Sequence, residues 1–296
     1  MNAPATRKFR DPALVDCGAG RRLDRFGGVL VDWPCAAATG PKEDPAAWEQ
    51  ATVRHVPALP GRPAAWTFRA DPPAPWQVAL PIGAATITLE VRPAASGQVG
   101  LFLEQLPQWR WLAARVAPGA RVLSLFAHSG AATFAAAAAG AAVVSVDASR
   151  QAVALARRNA HASGLATHPI AWIEDDARKT VARLVRRRER FDAVVLDPPS
   201  WGHGPKGEAF AIERDLAPLL DDVARLLPTA GGLLVVSCHS PRWPARRLRD
   251  AIEGALGGAG HGAASVQAGS LGLAAESGRR LALGVFARHG GADHEA

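Results

Sequence analysis

Four acidic positions sit where apolar runs end: Asp147 closes AVVSVD, Asp175 and Asp176 follow PIAWIE, and Asp197 closes FDAVVLD. A carboxylate accepts hydrogen bonds through two oxygens, so Asp147 is suited to take both hydroxyls of a ribose, and Asp175 or Asp176 an adenine amino group. Taken singly, each acid equally fits the start of a helix, with Ser149 as the N-cap after Asp147. Asp197 is followed by Pro198 and Pro199, which hold the chain extended and remove two backbone donors. Acceptors are then in excess, which favours a donor-bearing partner such as a nucleobase amine. A fifth position, Gly130, occupies the turn of FAHSGAATFAAAAAG. It stands alone, with none of the G-x-G-x-x-G spacing that lets backbone approach a pyrophosphate, so a phosphate-bearing cofactor is disfavoured. A nucleoside cofactor without phosphate remains compatible, with the helix start near Ala131 attracting a carboxylate. Together these positions indicate a nucleoside-cofactor site.

Such a site requires elements that bring the acids to one edge. From about Pro118 onward, apolar runs alternate with Ala/Arg/Leu-rich stretches, the βα pattern of a parallel sheet. Strands are expected at RVLSLFA, AVVSVD, PIAWIE, FDAVVLD and GGLLVVSC, then a helix from about Pro244 and two strands near ASVQAG and RLALGVFAR. That order predicts an α/β, doubly wound seven-stranded sheet, with ligands beyond the carboxyl ends of its strands. Residues 1–105 differ: they are rich in Pro and Trp, and RFGGVLVDW, AAWTFRA, WQVALPI and ATITLEVRP read as a small antiparallel β-rich domain. A sheet domain over 106–290 and a disordered tail at 291–296 complete the expected organisation.

Composition excludes several classes. The 296 residues are 48% hydrophobic and 21% charged, ordinary for a globular chain and unlike a disordered one. No apolar run reaches the ~20 residues of a membrane span, the N-terminus lacks a signal core, and three Cys form no disulfide framework. A cytoplasmic location is expected, and no metal-ligand cluster stands out. The net charge of +7 favours anionic partners, although the Arg-over-Lys and Ala/Gly/Pro bias points in part to GC-rich coding.

From about Gly97 to Arg288 the motifs GQVGLFLEQ, VLSLFAHSGAATFAAAAAG, VVSVDASRQAV, IEDDARK, LDPPSWGHGPKGE and LLVVSCHS occur in the order of a known family. The chain resembles the class I S-adenosylmethionine-dependent methyltransferases with their Rossmann-like sheet, and is closest to the bacterial group that includes large-subunit rRNA cytosine-C5 methyltransferases. The resemblance implies that the loop from Phe126 through His128 to Gly130 holds the methionine part of the cofactor. It further implies that Asp147 holds the ribose and Asp176 the adenine, that Gln105 approaches from the preceding segment, and that Asp197 lies beside the transferable methyl. His128 and Ser129 stand where many relatives have Tyr and Thr, Leu103 replaces a frequent Pro, and the N-terminal PUA domain of RNA-modifying relatives has no recognised counterpart.

The resemblance to the rRNA enzymes sets the acceptor chemistry. Cytosine C5 is a poor nucleophile, and a Cys thiolate adding at C6 activates it. Cys238 in VVSCHS matches the cysteine motif of those enzymes and is the candidate nucleophile, a buried core Cys being the alternative. His239, next in sequence, is assigned no part in activating it, since adjacent strand residues face opposite ways. Trp201 is placed to stack on a flipped base and Lys206 to hold a phosphate, in a glycine-rich loop that does not fit a P-loop. The stretches VARLVRRRER and PRWPARRLRD are expected to line the crevice with Arg for RNA. RNA is the leading acceptor, with a small molecule or protein second. An NAD(P)-dependent oxidoreductase or a non-catalytic cofactor-binding module are the rival functions, and oligomeric state is not legible.

Overall fold

A computed structural model of the chain describes residues 12–94, 97–203, 207–262 and 265–290. They form two compact units, one within residues 12–80, 88–103 and 272–282, the other within 81–87, 104–271 and 283–290. The expected tail at 291–296 lies outside the described residues.

In the first unit, β1 (Ala13–Gly18), β2 (Arg21–Phe26), β3 (Val29–Pro34), β4 (Val53–Val56) and β5 (Ala65–Phe68) make a sheet in that order. It is mixed rather than purely antiparallel: β3 and β4 run parallel because α1 (Pro45–Glu49) lies between them in sequence. The run RFGGVLVDW contains the β2–β3 turn at Gly27 and Gly28, both at positive φ. β1 escaped the sequence reading because Asp16 interrupts its apolar pattern. That carboxylate is buried yet satisfied, accepting from Trp48 Nε1 at 2.7 Å, Ser277 Oγ at 2.8 Å and the backbone N–H groups of Cys17, Glu43 and Asp44. A hairpin of β6 (Gln77–Ile82) and β7 (Ala85–Glu90) follows.

The expected sheet lies mostly in the second unit. Its strands are β8 (Arg121–Leu125), β9 (Ala142–Asp147), β10 (Ile170–Glu174), β11 (Ala193–Leu196), β14 (Leu233–Cys238), β15 (Val266–Ala274) and β16 (Arg280–His289), in the order β10-β9-β8-β11-β14-β16-β15. The first five in that order are parallel, and β16 runs antiparallel to β14. Central strands are continuous apolar runs because both faces are covered: every residue of β11 and β14 is buried. Helices α2 (Leu106–Ala113), α3 (Ala131–Ala138), α4 (Arg150–Ala162), α5 (Ala177–Arg186), α6 (Ile212–Leu226) and α7 (Ala245–Gly258) complete the unit. A small hairpin, β12 (Trp201–His203) with β13 (Ala209–Ala211), was not foreseen.

Register places the functional edge. Leu125 is paired with both Val146 and Leu196, Asp147 with Glu174, and Leu196 with Val236, so five strands end at nearly one level. The order of connection reverses between β8 and β11, which opens a crevice at their carboxyl ends.

Candidate active site

Immediately after β8 the chain winds tightly. Phe126 and His128 have φ of 55° and 46°, and Gly130 has φ of 91°, three left-handed residues in five. For Phe and His that conformation costs roughly 1 kcal/mol or more each, a strain typical of functional loops held by their surroundings. Asp147 supplies the hold: its Oδ2 accepts from the His128 N–H and its Oδ1 from the Ser149 N–H, both at 2.8 Å. Asn159 donates to the Ser129 carbonyl at 2.9 Å, and Ala127 N–H to the Val146 carbonyl. Each oxygen of Asp147 retains acceptor capacity after these bonds, and the side chain is partly exposed. A vicinal diol is the ligand feature that two such oxygens match. Only glycine serves at position 130, because a Cβ would lie 2.5 Å from Phe134 Cζ.

Asp175 and Asp176 lie at the start of α5. Asp176 is 4% exposed and caps α5, accepting from Arg178 N–H at 2.8 Å and from the Arg178 guanidinium at 2.7 Å. Asp175 accepts from Thr180 Oγ1 at 3.0 Å and Arg183 at 2.9 Å, contacts that hold its carboxyl below the ordinary range despite desolvation. Both carboxylates are held by the first turns of α5.

Asp197 extends β11 at the crevice. Its Oδ1 is buried without a hydrogen bond among the described residues and lies 3.4 Å from His239 Nε2. Pro198 is buried and Pro199 exposed. Trp201 is 60% exposed on the hairpin that follows, and Lys206 lies outside the described residues. The hairpin is anchored by Asp215, which accepts from Ala211 N–H and Arg214 and pairs with Arg178 at 3.0 Å. Chiefly through the Arg214 hydrogen bonds, its carboxyl is lowered to about 2. Phe126 packs against Phe210 of the same hairpin, ring centres 5.2 Å apart.

Beyond β14 the sequence reading missed a cluster. Gln105 is buried, its Oε1 accepting from Ser237 Oγ at 2.8 Å and its Nε2 lying 3.3 Å from His239 Nε2. His239 Nδ1 is 3.0 Å from the Leu283 carbonyl. His239 lies past the last paired residue of the strand, so strict alternation no longer dictates where its ring points, and no sequence signal marked it. Burial alone would lower the imidazole, but the Asp197 carboxylate outweighs it and raises it to about 9.

Cys238, the candidate nucleophile, lies in the same region. It is fully buried, packs in the sheet core with Leu196, Val236 and Trp243, and burial pushes its thiol up. A thiolate nucleophile needs the opposite environment. The two basic stretches also separate. α5 runs about 15 Å from its Asp176 cap at the carboxyl edge, so Arg186 to Arg190 lie toward the far edge, where Arg190 and Glu189 meet Arg121 of the β8 start. Arg246 and Arg247 open α7 just after β14 and stay near the crevice edge, Arg247 paired with Glu213 at 3.0 Å.

Comparison with known proteins agrees with this architecture. The model of the S-adenosylmethionine-dependent methyltransferase family matches residues 62–251. A crystal structure of an S-adenosylmethionine-dependent methyltransferase from Agrobacterium tumefaciens superposes with a TM-score of 0.84 at 29% identity, covering 95% of this chain and 90% of that one. Ribosomal RNA large subunit methyltransferase K/L of Hahella chejuensis is 36% identical over 56% of this chain and 22% of its own length. Methyltransferase I of Aeromonas hydrophila is 31% identical over 53% of this chain and 38% of its own. The chain thus aligns with well under half of either curated relative.

Proposed function

The chain belongs to the S-adenosylmethionine-dependent methyltransferase family, and on that premise we propose that it methylates a base of RNA in the cytoplasm. The observation that carries the proposal is the meeting, at the reversal of strand order, of an Asp147-organised loop and a proline-flanked Asp197. Asp147 takes the ribose hydroxyls, while the left-handed turn from Phe126 to Gly130 presents backbone and the α3 start to the methionine end. The bound cofactor supplies an electrophilic methyl on a sulfonium. Among the described residues the cradle suits it chemically: carboxylate acceptors for a diol and a cation, and no repeated glycines for a pyrophosphate.

RNA is favoured as acceptor by the net positive charge, by Arg246 and Arg247 near the crevice edge, by the exposed Trp201, and by the names of the curated relatives. The acceptor atom we assign is a base nitrogen whose N–H donates to Asp197 or a neighbouring carbonyl. Attack at cytosine C5 needs an activated thiolate, and burial pushes the Cys238 thiol in the other direction. Asp197 orients the amine, and its proton leaves as the nitrogen lone pair is used.

The test is incorporation of label from methyl-labelled S-adenosylmethionine into fractionated RNA, protein and metabolites. Label in RNA, lost in Asp197→Ala, supports the proposal. Label confined to protein or metabolites, or none in any fraction, overturns it.

A further inference from the structure

His239 Nε2 has two neighbours of opposite sense. The Gln105 amide nitrogen, 3.3 Å away, is a donor, and Asp197 Oδ1, 3.4 Å away, is an acceptor. The Ser237 hydroxyl at 2.8 Å holds Gln105 Oε1 and thereby turns the amide nitrogen to the ring. Nδ1 donates to the Leu283 carbonyl in either case. A neutral imidazole accepts from Gln105 through Nε2, and an imidazolium donates from Nε2 to Asp197. Both protonation states therefore find partners without moving the ring, an arrangement that a purely structural histidine does not require.

The groups facing the ring come from four elements. Asp197 follows β11, and Glu104 and Gln105 precede α2, with the Glu104 charge favouring the cation. Ser237 and Cys238 belong to β14, and Leu283 supplies a carbonyl from β16. With Asp197 as the nearest carboxylate, the ring is a cation at neutral pH when no other positive group is present.

We propose that His239 exchanges a proton against the cofactor's charge, standing as an imidazolium beside Asp197 in the cofactor-free protein and releasing that proton when a sulfonium becomes the cation there. This rests on the reading of the crevice as the S-adenosylmethionine site. It also closes the proton balance of the transfer. The bond from sulfur to the methyl carbon breaks, the acceptor nitrogen's lone pair forms the new bond to that carbon, and sulfur keeps the electron pair as a neutral thioether. The acceptor loses one proton, and neutral His239 takes it through Asp197 as the positive charge on sulfur disappears. One methyl leaves and one proton arrives, so the crevice carries the same charge before and after.

The contrast between S-adenosylmethionine and its neutral product S-adenosylhomocysteine tests this without any acceptor. Calorimetric titration of each into the full chain at pH 8, in phosphate and in Tris buffer, counts protons from the dependence of the heat on buffer ionisation. The two ligands share amino, carboxylate and adenosine groups, so only the sulfonium differs. Expected is release of roughly half a proton or more per S-adenosylmethionine and distinctly less per S-adenosylhomocysteine, with affinity for the former gaining relative to the latter by up to about tenfold per pH unit between 7 and 9. His239→Gln keeps a nitrogen near Nε2 but cannot titrate, and should bind both ligands with equal proton counts. Equal counts in the wild type overturn the inference while leaving the cofactor site intact, and absence of binding by either ligand overturns the site as well. Because the wild-type contrast is decisive by itself, poor folding of the variant does not rescue the proposal.

Discussion

Replacing Gly130 with Ala isolates how the loop after β8 is held. At φ of 91° any L-residue incurs about 1–2 kcal/mol from the left-handed conformation alone. The added Cβ would also lie 2.5 Å and 2.8 Å from Phe134 Cζ and Cε2 and 3.2 Å from Ala156 Cβ. Phe134 is fully buried and packs edge-on against Trp172, so its ring has nowhere to retreat, and overpacking of this kind adds about 1–3 kcal/mol. The combined loss of stability is therefore about 2–5 kcal/mol. Gly164, after α4, is the internal control: its φ is 71°, but a Cβ there meets nothing within 4 Å. Gly164→Ala should cost only the conformational ~1–2 kcal/mol. Urea unfolding of both variants gives the difference, which reports the clash. Restoring room with Phe134→Leu should recover part of the Gly130→Ala loss and leave Gly164→Ala unaffected. Equal costs for the two glycine substitutions, or no recovery, would refute the packing argument.

Three further outcomes follow from the same geometry. His239, raised from 6.5 to about 9 in the folded chain, binds a proton more tightly when folded, so its stabilisation is complete below about pH 6.5 and is lost as pH rises through about 9. Denaturant unfolding of the wild type against His239→Gln from pH 6 to 10 should show this limb only in the wild type, and parallel curves would contradict it. Asp215 titrates in the opposite sense: lowered to about 2, it stabilises the fold above the unfolded value near 3.9, and this is lost as pH falls toward 2. Asp215→Asn should raise the pH of acid unfolding and loosen the Trp201 hairpin, read as faster amide exchange at Ala211, whose N–H it now holds. Cys238→Ala should cost about 1 kcal/mol by core loss yet retain methyl transfer to RNA. Loss of transfer with intact cofactor binding would reinstate a thiolate route.

The strands of the larger sheet were legible because a strand covered on both faces reads as a predominantly apolar run, and four of the five parallel runs end in acids or at Cys238. Parallel pairing then fixed the edge at which Asp147 and Asp197 appear. What a carboxylate does at that edge was not legible. Asp147 and Asp176 look alike in sequence, each just before a helix, but Arg178 stands two residues beyond Asp176 and folds back on it, whereas Asp147 divides its bonds between its own Ser149 N–H and the His128 N–H of a neighbouring strand's loop. Cys238 and His239 show the same limit, since the strand's last paired residue decides which of two adjacent side chains turns into the core and which toward Asp197. The smaller unit resisted reading for another reason. Its buried charges, Asp16, Asp24 and Asp32, disrupt alternation, and Asp16 is satisfied in part by Ser277, 261 residues away, which no local window contains.

If the reversal point of the larger sheet holds S-adenosylmethionine, a crystal structure of the chain with S-adenosylhomocysteine will show the ligand there. The expected result is the ribose hydroxyls within hydrogen-bonding distance of both Asp147 oxygens and the thioether sulfur beside Asp197. A ligand seated elsewhere, or one whose ribose turns away from Asp147, would contradict it.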